Sequence, residues 1–220
     1  MRVLVLASHP DDELLGVGGT IARHADEGDD VSLVVCSEGA TARYEPEAAT
    51  ALQDSGRQAA RVLGARNIRF LGMRDQHLDA LPILTVIRAV EAVVREFAPD
   101  VVYTHHWGDV NRDHKVVGEA VMVACRPVGE NYPRAVYLFE TPSSTEWSWP
   151  DPASAFVPNH FVDVSSTLER KLQAMACYPT ELRPEPHPRS LAALRSRAAY
   201  WGQIIGRAHA EAFVVARQVR

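Results

Sequence analysis

The sequence predicts an α/β fold, a Rossmann-like and mainly parallel sheet with helices on both faces, and three observations lead there. Short aliphatic runs recur as buried strands: Arg2–Leu6, Val31–Cys36, Ile68–Leu71 and Val101–Thr104. Between them lie segments with apolar residues at helical spacing: Glu13–Glu27, Ala48–Leu63 and Leu81–Phe97. Polar, metal-binding residue types bunch directly after the first and fourth of these strands. Repeated strand–helix–strand units require parallel pairing and right-handed crossovers.

The punctuation agrees with the pattern. Gly28-Asp29-Asp30 closes the first helix, Gly64 the second, and Pro99-Asp100 follows the third. The second half is less regular. Helices are expected at Val116–Cys125, Thr167–Cys177 and Leu191–His209, and strands at Ala135–Glu140 and Phe161–Val164. Thr141–Pro158 reads as an ordered irregular loop. The proline-rich stretch Tyr178–Ser190 is loop by its composition. Gly16-Val17-Gly18-Gly19 lies inside the first helix rather than in the strand-to-helix turn, so it speaks for close helix packing and against a dinucleotide fingerprint.

Composition narrows the function classes. With 220 residues, 46% hydrophobic and 23% charged, the chain has the make-up of one ordinary globular domain. Its net charge of -5 gives no support for a nucleic-acid partner. Cys36, Cys125 and Cys177 are odd in number and far apart, which suits reduced, mostly buried thiols. The chain opens in a strand rather than a signal segment, and no apolar run reaches membrane-spanning length. The expected location is the cytoplasm, with no transmembrane segment.

Two clusters carry the chemistry. His9-Pro10-Asp11-Asp12-Glu13 follows the first strand, and His105-His106-Trp107-Gly108-Asp109-Val110-Asn111-Arg112-Asp113-His114 follows Val101–Thr104. Parallel strands deliver such clusters to the same sheet edge, where open α/β sheets bind ligands. Neutral imidazoles beside carboxylates suit Zn²⁺ or a similar divalent ion. Glu13 is either a helix-start acid, favoured by the dipole, or a group that supports the site.

The two motifs together resemble the PIG-L/LmbE-like zinc-dependent de-N-acetylase family, the N-acetylglucosaminyl de-N-acetylases. Residues 1 to about 125 follow that family's strand–helix order, and Ala210-Glu211-Ala212-Phe213 resembles its usual ending. The resemblance implies a single LmbE-like deacetylase domain over residues 1–220. It implies metal ligands His9, Asp12 and His114, with Asp11 as general base. The cofactor would be Zn²⁺, or another divalent ion such as Fe²⁺. The expected reaction is hydrolysis of an N-acetyl group by metal-activated water, on a small-molecule N-acetylated sugar or glycoside. Related proteins range over several assemblies, so a homo-oligomer is compatible. Two alternatives stand: a metal-dependent amidase or hydrolase of a natural-product (antibiotic) intermediate, and a non-catalytic metal-binding protein of the same fold.

Several family branches carry a His three positions before the second metal His; here that position is Asn111. Either Asn111 acts as a weaker hydrogen-bond donor in catalysis, or His105 or His106 takes its place. If the strand persists, one of those two points away from the site. Asp113 is expected to orient an imidazole or a substrate hydroxyl. Arg43 and Arg57 are candidate substrate-binding residues for an anionic group, against the plainer reading of Arg57 as a solvated helix residue. Glu140, Ser144 and Trp147, with His187, are candidate substrate-binding residues for a carbohydrate face.

Overall fold

The computed structural model describes residues 1–39, 47–129 and 132–219. Seven strands form one sheet in the order β3-β2-β1-β4-β5-β7-β6. They are β1 (Arg2–Ala7), β2 (Asp30–Ser37), β3 (Asn67–Met73), β4 (Val101–His105), β5 (Ala135–Phe139), β6 (His160–Asp163) and β7 (Ala210–Gln218). The helices are α1 (Asp12–Asp26), α2 (Glu47–Leu63), α3 (Ile83–Phe97), α4 (Arg112–Ala124), α5 (Leu168–Ala176) and α6 (Leu191–Ile204). No helix among the described residues is long and apolar enough to cross a membrane.

β1 is buried from Val3 to Ala7 because it runs through the middle of a sheet covered on both faces. Its side chains alternate between two cores. Val3 and Val5 join Leu14, Val17 and Ile21 of α1 with Leu63 of α2 and Leu172 of α5. Leu4 and Leu6 join Val86, Val90 and Val94 of α3 with Val117 and Val121 of α4. The glycines of α1 serve contact. A Cβ at Gly16 would overlap the Phe139 ring, and one at Gly19 would lie 2.8 Å from Val164 Cβ. Among the described residues no disulfide forms: Cys36 and Cys125 are buried free thiols and Cys177 is partly buried.

Three elements differ from the sequence expectation. α4 begins at Arg112 rather than Val116, because Asn111 caps it: its side-chain oxygen accepts the Asp113 N–H. Asp113 and His114 therefore sit in the first turn of a helix rather than in a loop. α6 ends at Ile204 rather than His209, and Gly206 (φ 67°) turns the chain back. The tail after it is β7, antiparallel to both β5 and β6. The other four strand pairings are parallel.

β1 pairs with β2 on one side and β4 on the other. The winding reverses between β1 and β4, so a crevice opens beyond their carboxyl ends. Both polar clusters empty into it.

Candidate active site

A cavity of ≈ 500 Å³ lies at this edge, and its wall includes His9, Asp11, Asp12, Asp113 and His114. The turn from β1 into α1 sets the acids. Asp11 has a left-handed backbone (φ 104°), which a non-glycine residue keeps only when its surroundings enforce it. Glu13 supplies that constraint: its Oε2 accepts the Asp11 N–H at 3.1 Å and its Oε1 accepts the Tyr178 hydroxyl at 2.8 Å. Burial pushes the Glu13 carboxyl up to about 7. Glu13 is thus more than a helix-start acid; it holds the turn that carries Asp11.

Asp12 Oδ2 lies 3.1 Å from His9 Nδ1 and 3.2 Å from His114 Nε2, and those two nitrogens are 3.3 Å apart. Tetrahedral zinc with bonds of about 2.0–2.1 Å would set its ligand atoms roughly 3.3 Å apart, so this donor set fits such an ion. The far nitrogens are held by carboxylates. His9 Nε2 faces Asp113 Oδ2 at 3.1 Å and Asp75 Oδ1 at 3.3 Å; His114 Nδ1 faces Asp109 Oδ2 at 3.1 Å. Each carboxylate accepts the N–H of the outer nitrogen, which leaves the inner lone pair free for an ion. Asp109 is fixed in turn by Ser144 Oγ and by Thr145 Oγ1 at 2.8 Å.

Carboxylates dominate the electrostatics here. Burial disfavours charge on both imidazoles, yet Asp113 and Asp12 lift His9 to about 10, and Asp12 and Asp109 lift His114 to about 9. Burial also works against Asp12, but His114 and His9 hold it well below the usual carboxylate range. Asp11 goes the other way: burial and the charge on Asp12 raise it, against the pull of Arg189.

The remaining sequence candidates fall into place as follows. His105 lies under the site, stacked on His114 with ring centroids 4.1 Å apart. Its Nε2 accepts the Ser8 N–H and its Nδ1 donates to Thr141 Oγ1. Burial and the neighbouring His114 push it down to about 3, so it is neutral. His106 turns away: its Nδ1 accepts the Gly108 N–H and its ring packs on Trp107 and Phe156. Neither imidazole therefore substitutes for a group at position 111. Asn111 and Trp147 line the cavity.

Four substrate candidates are placed differently from the expectation. Ser144 reaches the cavity, but its hydroxyl proton goes to Asp109. Glu140 lies outside the cavity wall, tied to Arg197 and to Trp201 Nε1 at 2.6 Å. Arg57 is also outside it, held on α2 by Asp54 at 2.7 Å and over the Phe70 ring. His187 sits behind the wall, edge-on to Trp147 and accepting the Arg189 N–H. Arg43 lies outside the described residues.

Sequence reasoning missed Asp75 and the tie between Asp109 and His114. It also missed Arg189, whose Nη1 is 3.0 Å from Asp11 Oδ2 and 2.8 Å from Glu181 Oε2. Asp109 was in view inside the second motif, five residues before His114. Asp75 follows β3, a third parallel strand ending at the same edge, which was the available signal.

Comparison with known proteins identifies the family. The PIG-L family, described as GlcNAc-PI de-N-acetylase, matches residues 4–125. The diacetylchitobiose deacetylase of Thermococcus kodakarensis is 28% identical over 228 residues, covering 96% of this chain and 81% of that protein. The 1D-myo-inositol 2-acetamido-2-deoxy-alpha-D-glucopyranoside deacetylase of Rhodococcus erythropolis is 30% identical over 218 residues, covering 84% of this chain and 69% of that one. Among solved structures, N,N'-diacetylchitobiose deacetylase from Pyrococcus horikoshii superposes with a TM-score of 0.79 at 24% identity, over 97% of this chain and 83% of that chain, a likeness of fold. With its two motifs converging on one cavity and more than half its length matched, this chain belongs to the PIG-L, or GlcNAc-PI de-N-acetylase, family.

Proposed function

We propose that this chain is a metal-dependent N-deacetylase that removes the acetyl group from an amino-sugar-containing small molecule. The observation that carries the reading is the meeting of His9 Nδ1, Asp12 Oδ2 and His114 Nε2 at 3.1–3.3 Å, with Asp11 in the same cavity wall. Two imidazoles and one carboxylate leave room for water and substrate, the pattern of a catalytic rather than a structural site. The relatives named above act on 2-acetamido sugars, which supports that substrate class. Trp147, 55% exposed at the cavity wall, offers a flat apolar face against which a sugar ring can pack.

A zinc ion held by His9, Asp12 and His114 would acidify a water molecule and polarise the acetamide carbonyl. In this reading Asp11 is the general base. It takes the water proton as oxygen bonds to the carbonyl carbon, and returns it to nitrogen as the C–N bond breaks. Asp113 and Asp109 keep the two imidazoles in the tautomers that ligation requires. The products are acetate and the free amine.

The test is acetate release from N,N'-diacetylchitobiose and a panel of N-acetylglucosamine glycosides by zinc-loaded protein. Turnover of at least one, lost in Asp11→Asn at unchanged metal content, is the expected result. No release from any member of the panel would overturn the substrate class, and equal turnover by the variant would remove Asp11 as the base.

A further inference from the structure

Hydrolysis of an acetamide puts negative charge on the carbonyl oxygen, and a preorganised donor there is worth a large part of the rate. Most donors around the cavity are committed elsewhere. His105 has both ring nitrogens engaged behind His114, and Asn111, whose side-chain oxygen caps α4, has only neutral amide N–H groups left to donate. Arg112 is largely in solvent, 3.7 Å from Asp79. Arg183 is turned onto the Thr180 and Leu182 carbonyls.

Arg189 is different. It lines the cavity, its side chain is 19% exposed, and Nη1 alone carries its ion pairs to Asp11 and Glu181. Its buried Nε has no hydrogen-bond partner among the described residues, and Nη2 has none there either. A guanidinium presents five N–H donors in a fixed fork; with Nε enclosed and Nη1 paired, Nη2 remains as the donor beside the proposed base. The residue is also rigidly placed. Its own N–H goes to His187 Nδ1, and the next residue, Ser190, caps α6 through the Ala193 N–H.

We propose that Arg189 is a catalytic residue that stabilises the tetrahedral oxyanion, an inference that rests on the deacetylase reading above. The charge balance explains why a cation paired with the base serves this purpose. In the attack, water oxygen bonds to the carbonyl carbon, one water proton passes to Asp11, and the carbonyl π pair moves onto oxygen. Asp11 becomes neutral as the oxyanion appears, so the Arg189 charge loses one partner and gains another. When the C–N bond breaks, nitrogen takes the proton from Asp11 and the negative charge leaves the carbonyl oxygen. The stabilisation is therefore greater in the transition state than in the bound substrate, the condition for raising kcat.

The experiment compares wild type, Arg189→Lys, Arg189→Met and Arg189→Ala at matched zinc content. It measures kcat and KM on N,N'-diacetylchitobiose, and the Kd of the methylphosphonamidate of glucosamine, a tetrahedral oxyanion mimic, by calorimetry. Arg189→Met is expected to lower kcat and weaken the mimic by the same ~10²–10³-fold, while KM stays within about threefold. Arg189→Lys should retain part of the rate, and added guanidinium should restore part of it to Arg189→Ala. Equal weakening of KM and of the mimic, an unchanged kcat, or no rescue by guanidinium would each overturn the proposal. Wild-type acetate release is the separate arm for the deacetylase reading; if it is absent, the mimic's affinity still reports on Arg189.

Discussion

Asp113 meets His9 across the cavity floor: its Oδ2 stands 3.1 Å from His9 Nε2, while its Oδ1 accepts the Leu78 N–H at 3.1 Å. The carboxylate is anchored at one oxygen and orients an imidazole with the other. The helix start that carries His114 thus also sets the tautomer of His9, on the turn after β1. The two motifs form one unit through this contact.

Removing that orientation should weaken metal binding without abolishing it. Asp113→Asn, and Asp109→Asn beside His114, are each expected to lower zinc affinity by ~10–100-fold. Competition against a chromophoric chelator measures this. Wild-type affinity in both variants would rule out the orienting role.

The neighbouring acids should separate cleanly. Asp12→Asn is expected to lose most bound zinc, whereas Asp11→Asn keeps it and loses ~10²–10⁴-fold in acetate release. Metal analysis run beside the acetate assay tests the division. Equal metal loss in the two variants would show that both carboxylates bind it.

Metal removal is expected to abolish turnover and to lower the melting temperature, since an ion bound only by the folded state stabilises it by mass action. Dialysis against a chelator, followed by readdition of zinc, checks both effects. Full activity of protein shown to be metal-free would exclude a metal-dependent reaction.

His106 gives the fold a pH dependence. Burial pushes its imidazole down to about 4 from an ordinary 6.5, and it is held neutral with Nδ1 accepting the Gly108 N–H. Below pH 6.5 the unfolded chain takes up a proton that the folded one refuses. This contribution is therefore fully present above pH 6.5 and is lost as the pH falls towards 4. Urea unfolding at pH 7.5 and 4.5 should show a smaller acid loss in His106→Gln than in wild type. The same loss in both would sink the assignment.

Lys171 and Glu211 form a buried pair that ties α5 and β7 to α1. Lys171 Nζ donates to Glu211 Oε1 at 2.6 Å and to the Leu15 carbonyl, while Glu211 accepts the N–H groups of Gly19 and Thr20. Lys171→Met should destabilise by about 3–5 kcal/mol, because it strands a buried carboxylate. Adding Glu211→Leu should recover only part of that, since two helix N–H groups then lack an acceptor. Denaturant titration of the three variants decides; a loss under about 1 kcal/mol for Lys171→Met would contradict the pairing.

The parallel half of the fold was legible because its strands contain aliphatic runs, those of β1, β2 and β4 buried almost throughout, with glycine or proline at the helix ends. β7 was not, for Ala210–Phe213 gives no turn signal and acquires its place only by docking between β5 and β6. The start of α4 was missed because Arg112 to Lys115 are polar and follow no apolar period. A side-chain cap, rather than packing, begins that helix. Arg57 carried no local sign of whether it faced substrate or Asp54, and only the position of α2 decides between them.

By itself the sequence determined the strand–helix order of the first half, the family, and the two clusters at the carboxyl ends of β1 and β4. Those follow from short-range periodicity and from residue types whose chemistry is fixed. The tertiary structure alone decided which carboxylate orients which imidazole, that His106 turns away from the site, and that Arg189 stands against Asp11 across 178 positions of chain. Such contacts join elements distant in sequence, and their geometry is set by sheet order and helix docking rather than by local residue pattern.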